Sequence, residues 1–206
     1  MNMSFLDDNK TAGIAFIILG VLQLIAALAT LVGAVTAKDG IVISAVVACL
    51  GPIIMAVLYF RFGVSIKNGS ISKKIDILAY FVRLAGLSQI ILSVFSFWHN
   101  WELEGGVAAV GGLVISIIIG LIILFIAGRI NDGKQDTGDK IIWIILVVLF
   151  VIAVIGNLLS LVGVFALDVS LFDKVISLIT VVVNLIINLF MLVLLFNSDV
   201  KREMNM

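Results

Sequence analysis

The sequence has very few of the cysteine and histidine residues that often serve in catalysis or metal binding. Among 206 residues there is one cysteine, one histidine and one proline, and only 13% of the residues are charged. A single cysteine rules out an internal disulfide and any cysteine-based metal cluster. Lys and Arg together number 13, as do Asp and Glu, and the basic residues are not clustered. We therefore expect no nucleic-acid partner.

Acidic residues are also missing from the long apolar runs, apart from Asp76 at the edge of one run. A hydrolase, a metalloenzyme or a proton-coupled pump needs buried carboxylates, histidines or metal ligands. Cys49 falls in the middle of an apolar run and His99 at the end of another, so they make a poor catalytic pair. We expect no enzymatic activity, no catalytic residues, no cofactor and no metal.

Apolar residues dominate what is present: they make up 63% of the chain, and the mean hydropathy is +1.31. They lie in runs long enough to cross roughly 30 Å of hydrocarbon as helices, the structure that satisfies backbone polar groups in lipid. The first run is too long for a cleaved signal peptide, and we expect it to be retained. Six spans are predicted, at about 11–36, 41–62, 75–98, 107–130, 141–165 and 175–196.

The distribution of positive charge predicts the orientation of these spans. Ten Lys and Arg residues fall on the side of both termini, two (Lys38 and Lys174) fall on the opposite side, and Arg83 lies within a span. In membrane proteins the short loops on the cytoplasmic side carry an excess of Lys and Arg. We predict that both termini are cytoplasmic and that the chain lies in the plasma membrane.

Small and polar residues recur in a way that predicts an internal repeat. In the odd spans the pattern is Gly20, Gln23, Ala27, Thr30, then Gly86, Gln89, Ser93, Ser96, then Ala153, Gly156, Ser160, Gly163. The even spans carry Ser44, Ala48, Pro52, Ala56, then Ala108, Gly112, Ser116, Gly120, then Thr180, Asn184, Asn188. Small residues let membrane helices approach closely. The predicted fold is an all-α, six-helix transmembrane bundle of three parallel helical-hairpin repeats, related by a pseudo-threefold axis.

The repeat units cover about 10–73, 74–139 and 140–206, and residues 1–206 form a single integral membrane domain. Because each unit contains two spans, successive units point the same way through the membrane, with the axis along the membrane normal. The one proline, Pro52, falls inside the second span and is expected to kink it statically or as a hinge.

Few polar residues lie within the spans, and these are the candidate site or helix-contact residues: Gln23, Gln89, Asn157, Asn184, Asn188 and Arg83. The amides either line a path for a small solute or hydrogen-bond between helices. Asn184 and Asn188 replace small residues of the other units, which makes them the strongest site candidates. Arg83 reaches the interface, pairs with Asp76, or contacts an anionic ligand.

Two functions remain open from the sequence. The first is a non-enzymatic packing or interaction subunit, either self-associating or accessory to another membrane protein. The second is a small channel or carrier for a neutral or anionic solute, without proton coupling. Beyond the lipid bilayer, the expected partner is therefore a membrane protein or a second copy of the chain.

Overall fold

The structure is a computed structural model that describes residues 8–36, 42–134, 136–166 and 171–206. For residues 171–173 it describes the backbone alone. The described chain is all-helical. Its helices are α1 Asn9–Val35, α2 Ile43–Lys67, α3 Lys74–Glu104, α4 Gly106–Ile130, α5 Thr137–Ala166, α6 Leu171–Phe196 and α7 Ser198–Glu203. Six of them are long and apolar enough to cross a membrane. The six predicted spans are confirmed, and the chain is a multi-pass membrane protein.

Several helices extend beyond their predicted ends. α2 continues through Gly63 to Lys67, where the sequence predicted a turn, because Gly63 packs against α1 instead of ending the helix. α3 runs to Glu104 and is separated from α4 by Gly105 alone, whose φ of +87° is a conformation that favours glycine. α1 begins where the Asp8 side chain accepts hydrogen bonds from the backbone N–H groups of Lys10 and Thr11.

The first hairpin is held by direct contact between backbones. A Cβ built on Gly63 would lie 2.6 Å from the carbonyl oxygen of Gly13, and one built on Gly20 would lie 2.8 Å from that of Ala56. The two facing pairs are seven residues apart on both helices. At the far end of the hairpin the Val42 N–H donates to the Ala34 carbonyl at 3.1 Å. Small residues therefore set the close, antiparallel packing of α1 on α2.

The second hairpin repeats this arrangement, and the third departs from it. In the second, a Cβ on Gly86 or on Gly120 would lie 2.9 Å from the carbonyl oxygen of the other. In the third, the Trp143 indole N–H donates to the Leu195 carbonyl at 2.7 Å. Cβ atoms on Gly156 and Gly163 of α5 would meet nothing within 4 Å. These two glycines thus have no neighbouring helix against them among the described residues.

The buried core lies at one end of the bundle. We call this the terminal end, and it holds Asn9, residues 68–73 and α7. There the Asn9 amide donates a hydrogen bond to the Ser72 carbonyl at 3.0 Å. The other end is the distal end. Rings of Phe16, Phe81 and Phe150 join three helices in the core, with centroids 5.5 Å and 5.9 Å apart in succession. Buried core residues come from the terminal halves of all six long helices.

Neighbouring hairpins pack unequally around this core. α2 packs along α3, and α6 packs against α1, whereas α4 and α5 meet only briefly although they follow each other in the chain. The lowest buried fractions among the spans belong to α4 and α5. The described bundle is therefore closed at the terminal end and open along the α4–α5 side.

Candidate functional site

The face of α1 that enters the core changes character toward the distal end. Residues seven apart lie on nearly the same face of a helix, because seven residues make almost two turns. Along one such line Phe16 is fully buried, Gln23 is half-buried and Thr30 is exposed. The core-facing line of α1 thus becomes polar where the bundle stops being packed.

The same change occurs on three other helices. On α3 the buried Val82 is followed seven residues later by the exposed Gln89. On α5 the buried Phe150 is followed by the half-buried Asn157, and on α6 the buried Met191 is preceded by the half-buried Asn184. Gln23, Gln89 and Asn157 therefore continue core-facing lines just beyond the core, and Asn184 does so at the edge of the core, beside Val183.

The five candidate amides within the spans do not hydrogen-bond to neighbouring helices among the described residues. The Asn157 amide donates to the Ala153 carbonyl at 2.8 Å, and the Asn188 amide donates to the Asn184 carbonyl at 2.9 Å, both within their own helices. The Gln23 Oε1 atom is buried and has no hydrogen-bond partner. Hydrogen bonds between helices from these mid-span amides are thus not what holds the described bundle together.

A cavity of about 260 Å³ lies between α1, α2 and α3 on the distal side of the core. Its wall carries three polar side chains, Gln23, Thr30 and Ser88, together with Ala26, Ala27, Pro52, Met55 and Leu92. The Thr30 hydroxyl already donates to the Ala26 carbonyl at 3.0 Å. Gln89, Asn157, Asn184 and Asn188 do not line this cavity. The cavity is consequently a mostly apolar space with one unsatisfied amide.

Arg83 lies near the terminal end, away from this cavity. Its side chain is exposed and lines a second cavity of about 290 Å³ with Asp76, Tyr80 and Asn131. The Asp76 carboxylate accepts a hydrogen bond from the Asn131 amide at 2.6 Å. Among the described residues Arg83 forms no ion pair. The nearby Asp76 carboxylate is already hydrogen-bonded to Asn131 at the end of α4.

A polar cluster at the distal end joins α2 to α3. The Ser44 hydroxyl, only 2% exposed, donates to the Glu102 carboxylate and lies 3.3 Å from His99 Nδ1. His99 and Glu102 are three residues apart, so they share one face of α3. The sequence analysis missed this cluster because Ser44 is more than fifty residues from its partners. The three-residue spacing of His99 and Glu102 on α3 was the available signal.

An ionic cluster closes the terminal end between α4 and α5. The Arg129 guanidinium contacts Asp132 at 3.1 Å, Asp136 at 2.8 Å and Asp139 at 3.2 Å. Hydrogen bonds from Arg129 and from the Gly138 backbone hold the pKa of Asp136 below its usual value. Asp139 is buried, and its carboxylate also accepts the Asp136 N–H. These contacts link α4 to α5, in addition to the packing of α3 against α6 and α7 that also joins the second and third hairpins.

The described residues contain no group of three or more His, Cys, Asp or Glu side chains placed to hold a metal ion. Comparison of the chain with protein-family models, with curated proteins and with solved structures found no match. The functional argument therefore depends on the packing and polarity of this bundle alone.

Proposed function

We propose that this protein is a non-enzymatic interaction subunit of the plasma membrane, which self-associates or packs against another membrane protein. In this proposal three parallel hairpins surround a pseudo-threefold axis, and both termini are cytoplasmic. The excess of Lys and Arg on the side of the termini supports the orientation. The Gly20–Ala56 and Gly86–Gly120 contacts, which recur at equivalent positions of the first two hairpins, support the repeat.

The observation that carries the proposal is the contrast between filled and unfilled glycine positions. Gly13, Gly20, Gly63, Gly86 and Gly120 all meet a neighbouring helix closely. The open glycine positions of α4 and α5 are Gly111, Gly112, Gly128, Gly156 and Gly163. Lipid tails are as apolar as leucine, so membrane helices associate through close packing at such small residues. The α4–α5 side is therefore suited to a further transmembrane helix.

Native mass spectrometry of the protein, extracted gently from its own membranes, tests this function. We expect a homo-oligomer or a stoichiometric complex with another membrane protein. The double variant Gly156→Leu/Gly163→Leu should abolish it, because leucine side chains block close approach to α5. Gly33→Leu is the matched control, since Gly33 also meets nothing within 4 Å but lies on α1. A monomer without a partner, or an oligomer unaffected by the double variant, would contradict the proposal.

A second candidate function is a small channel or carrier for a neutral solute. The observation that favours it is the set of amides on core-facing lines: Gln23, Gln89, Asn157 and Asn184. Rates of glycerol and urea entry into proteoliposomes test this function. Flux that falls in Asn184→Leu, with unchanged folding, would support a solute path, and no flux above that of empty liposomes would exclude it for these solutes.

A further inference from the structure

Three polar side chains of α3 lie on one face of the helix at the terminal end. Asp76, Tyr80 and Arg83 are spaced by four and three residues, so they follow one another along the helix surface. All three line the cavity of about 290 Å³ that α3 forms with residues 70–71 and with Asn131. Asp76 is half-buried, whereas Tyr80 and Arg83 are exposed. A molecule in this cavity can therefore contact a carboxylate, a phenol and a guanidinium in one row.

The two charges of this row are separated along the helix. Asp76 is the third residue of α3 and Arg83 is the tenth, so their backbones lie about 10 Å apart along the helix axis. Among the described residues Arg83 pairs with no carboxylate. The Asp76 carboxylate accepts one hydrogen bond, from Asn131, and a carboxylate has about four lone pairs to offer. Both charged groups therefore retain bonding capacity toward the cavity.

The order of the two charges across the membrane matches a phospholipid headgroup. α3 begins at the terminal end with Lys74, so the Asp76 carboxylate lies nearer to the water and the Arg83 guanidinium lies deeper in the span. An arginine inside a span needs an anionic partner or contact with the membrane interface. In a phospholipid the phosphate is attached to glycerol, and the headgroup amine lies at the outer end. The guanidinium can therefore bind the phosphate while the carboxylate binds the amine.

The charges of the lining select among headgroups. Asp76 and Arg83 are the two charged residues among the described residues that line the cavity, so its formal charges cancel. A headgroup with a phosphate and no amine would bring negative charge toward Asp76 without a counter-charge. A choline headgroup carries a cation, but its nitrogen has no N–H to donate to the carboxylate. A phosphate followed by a primary amine is the headgroup that uses both charges.

We infer that this cavity binds the headgroup of phosphatidylethanolamine in the leaflet at the terminal end, with Arg83 and Tyr80 on the phosphate and Asp76 on the ammonium group. A guanidinium presents parallel N–H groups that fit two phosphate oxygens, and the phenol adds one further donor. The site depends neither on association along the α4–α5 side nor on which side of the membrane holds the termini.

Native mass spectrometry of the delipidated full chain in detergent micelles tests this site. The chain is titrated with phosphatidylethanolamine, phosphatidylcholine and phosphatidylglycerol that carry identical acyl chains. Phosphatidylethanolamine should bind about tenfold more tightly than either of the others, the difference expected for one hydrogen bond between charged groups. Equal affinity for phosphatidylethanolamine and phosphatidylcholine would overturn the inference.

Two variants separate the two ends of the headgroup. Arg83→Gln should weaken the binding of all three lipids, because all three carry the phosphate. Asp76→Asn keeps an oxygen for the Asn131 hydrogen bond and should remove the preference for phosphatidylethanolamine over phosphatidylcholine. Arg61→Gln is the matched control, because Arg61 is also exposed, six residues before the end of α2, and does not line the cavity. A preference that survives Asp76→Asn, or equal effects of Arg83→Gln and Arg61→Gln, would overturn the inference.

Two further measurements complete the test. If Arg83→Gln fails to fold, Tyr80→Phe keeps the ring that stacks on Phe62 and should lower the affinity for all three lipids by roughly two- to tenfold. An unchanged affinity in Tyr80→Phe would contradict the phosphate contact. Glycerophosphoethanolamine, the same headgroup without acyl chains, should not displace the lipid at micromolar concentration. Displacement there would identify a soluble phosphate ester as the ligand and overturn the assignment to a membrane lipid.

Discussion

At the scale of single residues, the environment of each glycine decides what it contributes. Gly63 faces the backbone of α1 so closely that an added Cβ would lie 2.6 Å from the Gly13 oxygen and 2.7 Å from the Ile17 nitrogen. Gly156 has the same side chain and also lies in a long membrane helix, yet an added Cβ would meet nothing within 4 Å. One glycine is required for helix packing within the chain, and the other is open to an external neighbour.

Gly63→Ala should therefore destabilise the protein. The new methyl group would collide with backbone atoms, which move only if α1 and α2 separate. We expect the free energy of unfolding to fall by about 1–3 kcal/mol, as for other overpacked sites. Unfolding in mixed micelles with increasing SDS, followed by circular dichroism, measures this change.

Gly156→Ala is the control for that substitution. Alanine favours the helix over glycine by about 1 kcal/mol, so the free energy of unfolding should stay constant or rise slightly. Equal destabilisation by the two variants would show that the backbone contact at Gly63 does not set the position of α1 on α2.

At the scale of helices, the Ser44 cluster fixes the distal ends of α2 and α3. Ser44→Ala removes the donor to Glu102 and the neighbour of His99. Glu102 is exposed, so water can replace the lost hydrogen bond, and we expect the free energy of unfolding to fall by about 0.5–1.5 kcal/mol. Ser70→Ala, at an exposed position of the connection between α2 and α3, should have no effect in the same SDS titration. An unchanged free energy of unfolding in Ser44→Ala would show that other contacts between α2 and α3 suffice, such as the close approach of Gly51 to Leu92 and Phe95.

The junction of α4 and α5 should respond to acid. Its Arg129 hydrogen bonds hold the pKa of Asp136 below the ordinary 3.8. A carboxylate whose pKa is lower in the folded state stabilises that state above the unfolded pKa. This stabilisation is lost as the pH falls through the folded pKa. The junction should therefore loosen only in strong acid.

NMR titration of the Asp136 carboxyl carbon measures this directly. Arg129→Gln should raise the Asp136 pKa, whereas Arg202→Gln, which removes the exposed Arg202–Asp199 pair at the other end of the chain, should leave it unchanged. An Asp136 pKa that does not respond to Arg129→Gln would show that the backbone N–H of Gly138 holds it down instead.

At the scale of the whole molecule, the proposed orientation places the tightly packed terminal end in the cytoplasm. In intact cells, a membrane-impermeant maleimide should label Leu103→Cys at the distal end and should reach Lys134→Cys only after permeabilisation. The native Cys49 is buried and should react in neither case, so it serves as an internal control. The reverse labelling pattern would overturn the orientation inferred from the basic residues.

The six membrane-spanning helices and their approximate bounds could be predicted from the sequence, because each apolar run is long enough to cross a bilayer and has to be helical there. The short α7, which follows the last span, was not predicted. The residues at which the helices end were less predictable. Gly63 looked like a turn residue, and only its contact with α1 keeps it inside α2. The candidate amides could likewise be named from the sequence, but which of them faces a cavity could not, since Gln23 and Gln89 occupy equivalent positions in their helices.

What the sequence determined by itself is the class of this protein: six apolar helices, few charges, and a small set of polar residues within the spans. Those properties follow from local composition and from the demand of lipid that backbone groups be satisfied. The tertiary structure decided which contacts are made. Phe16, Phe81 and Phe150 bring three helices together at the terminal end. Among the described residues, ring contacts between helices do not recur at the distal end, where the lines that carry this core continue as glutamine, asparagine and threonine.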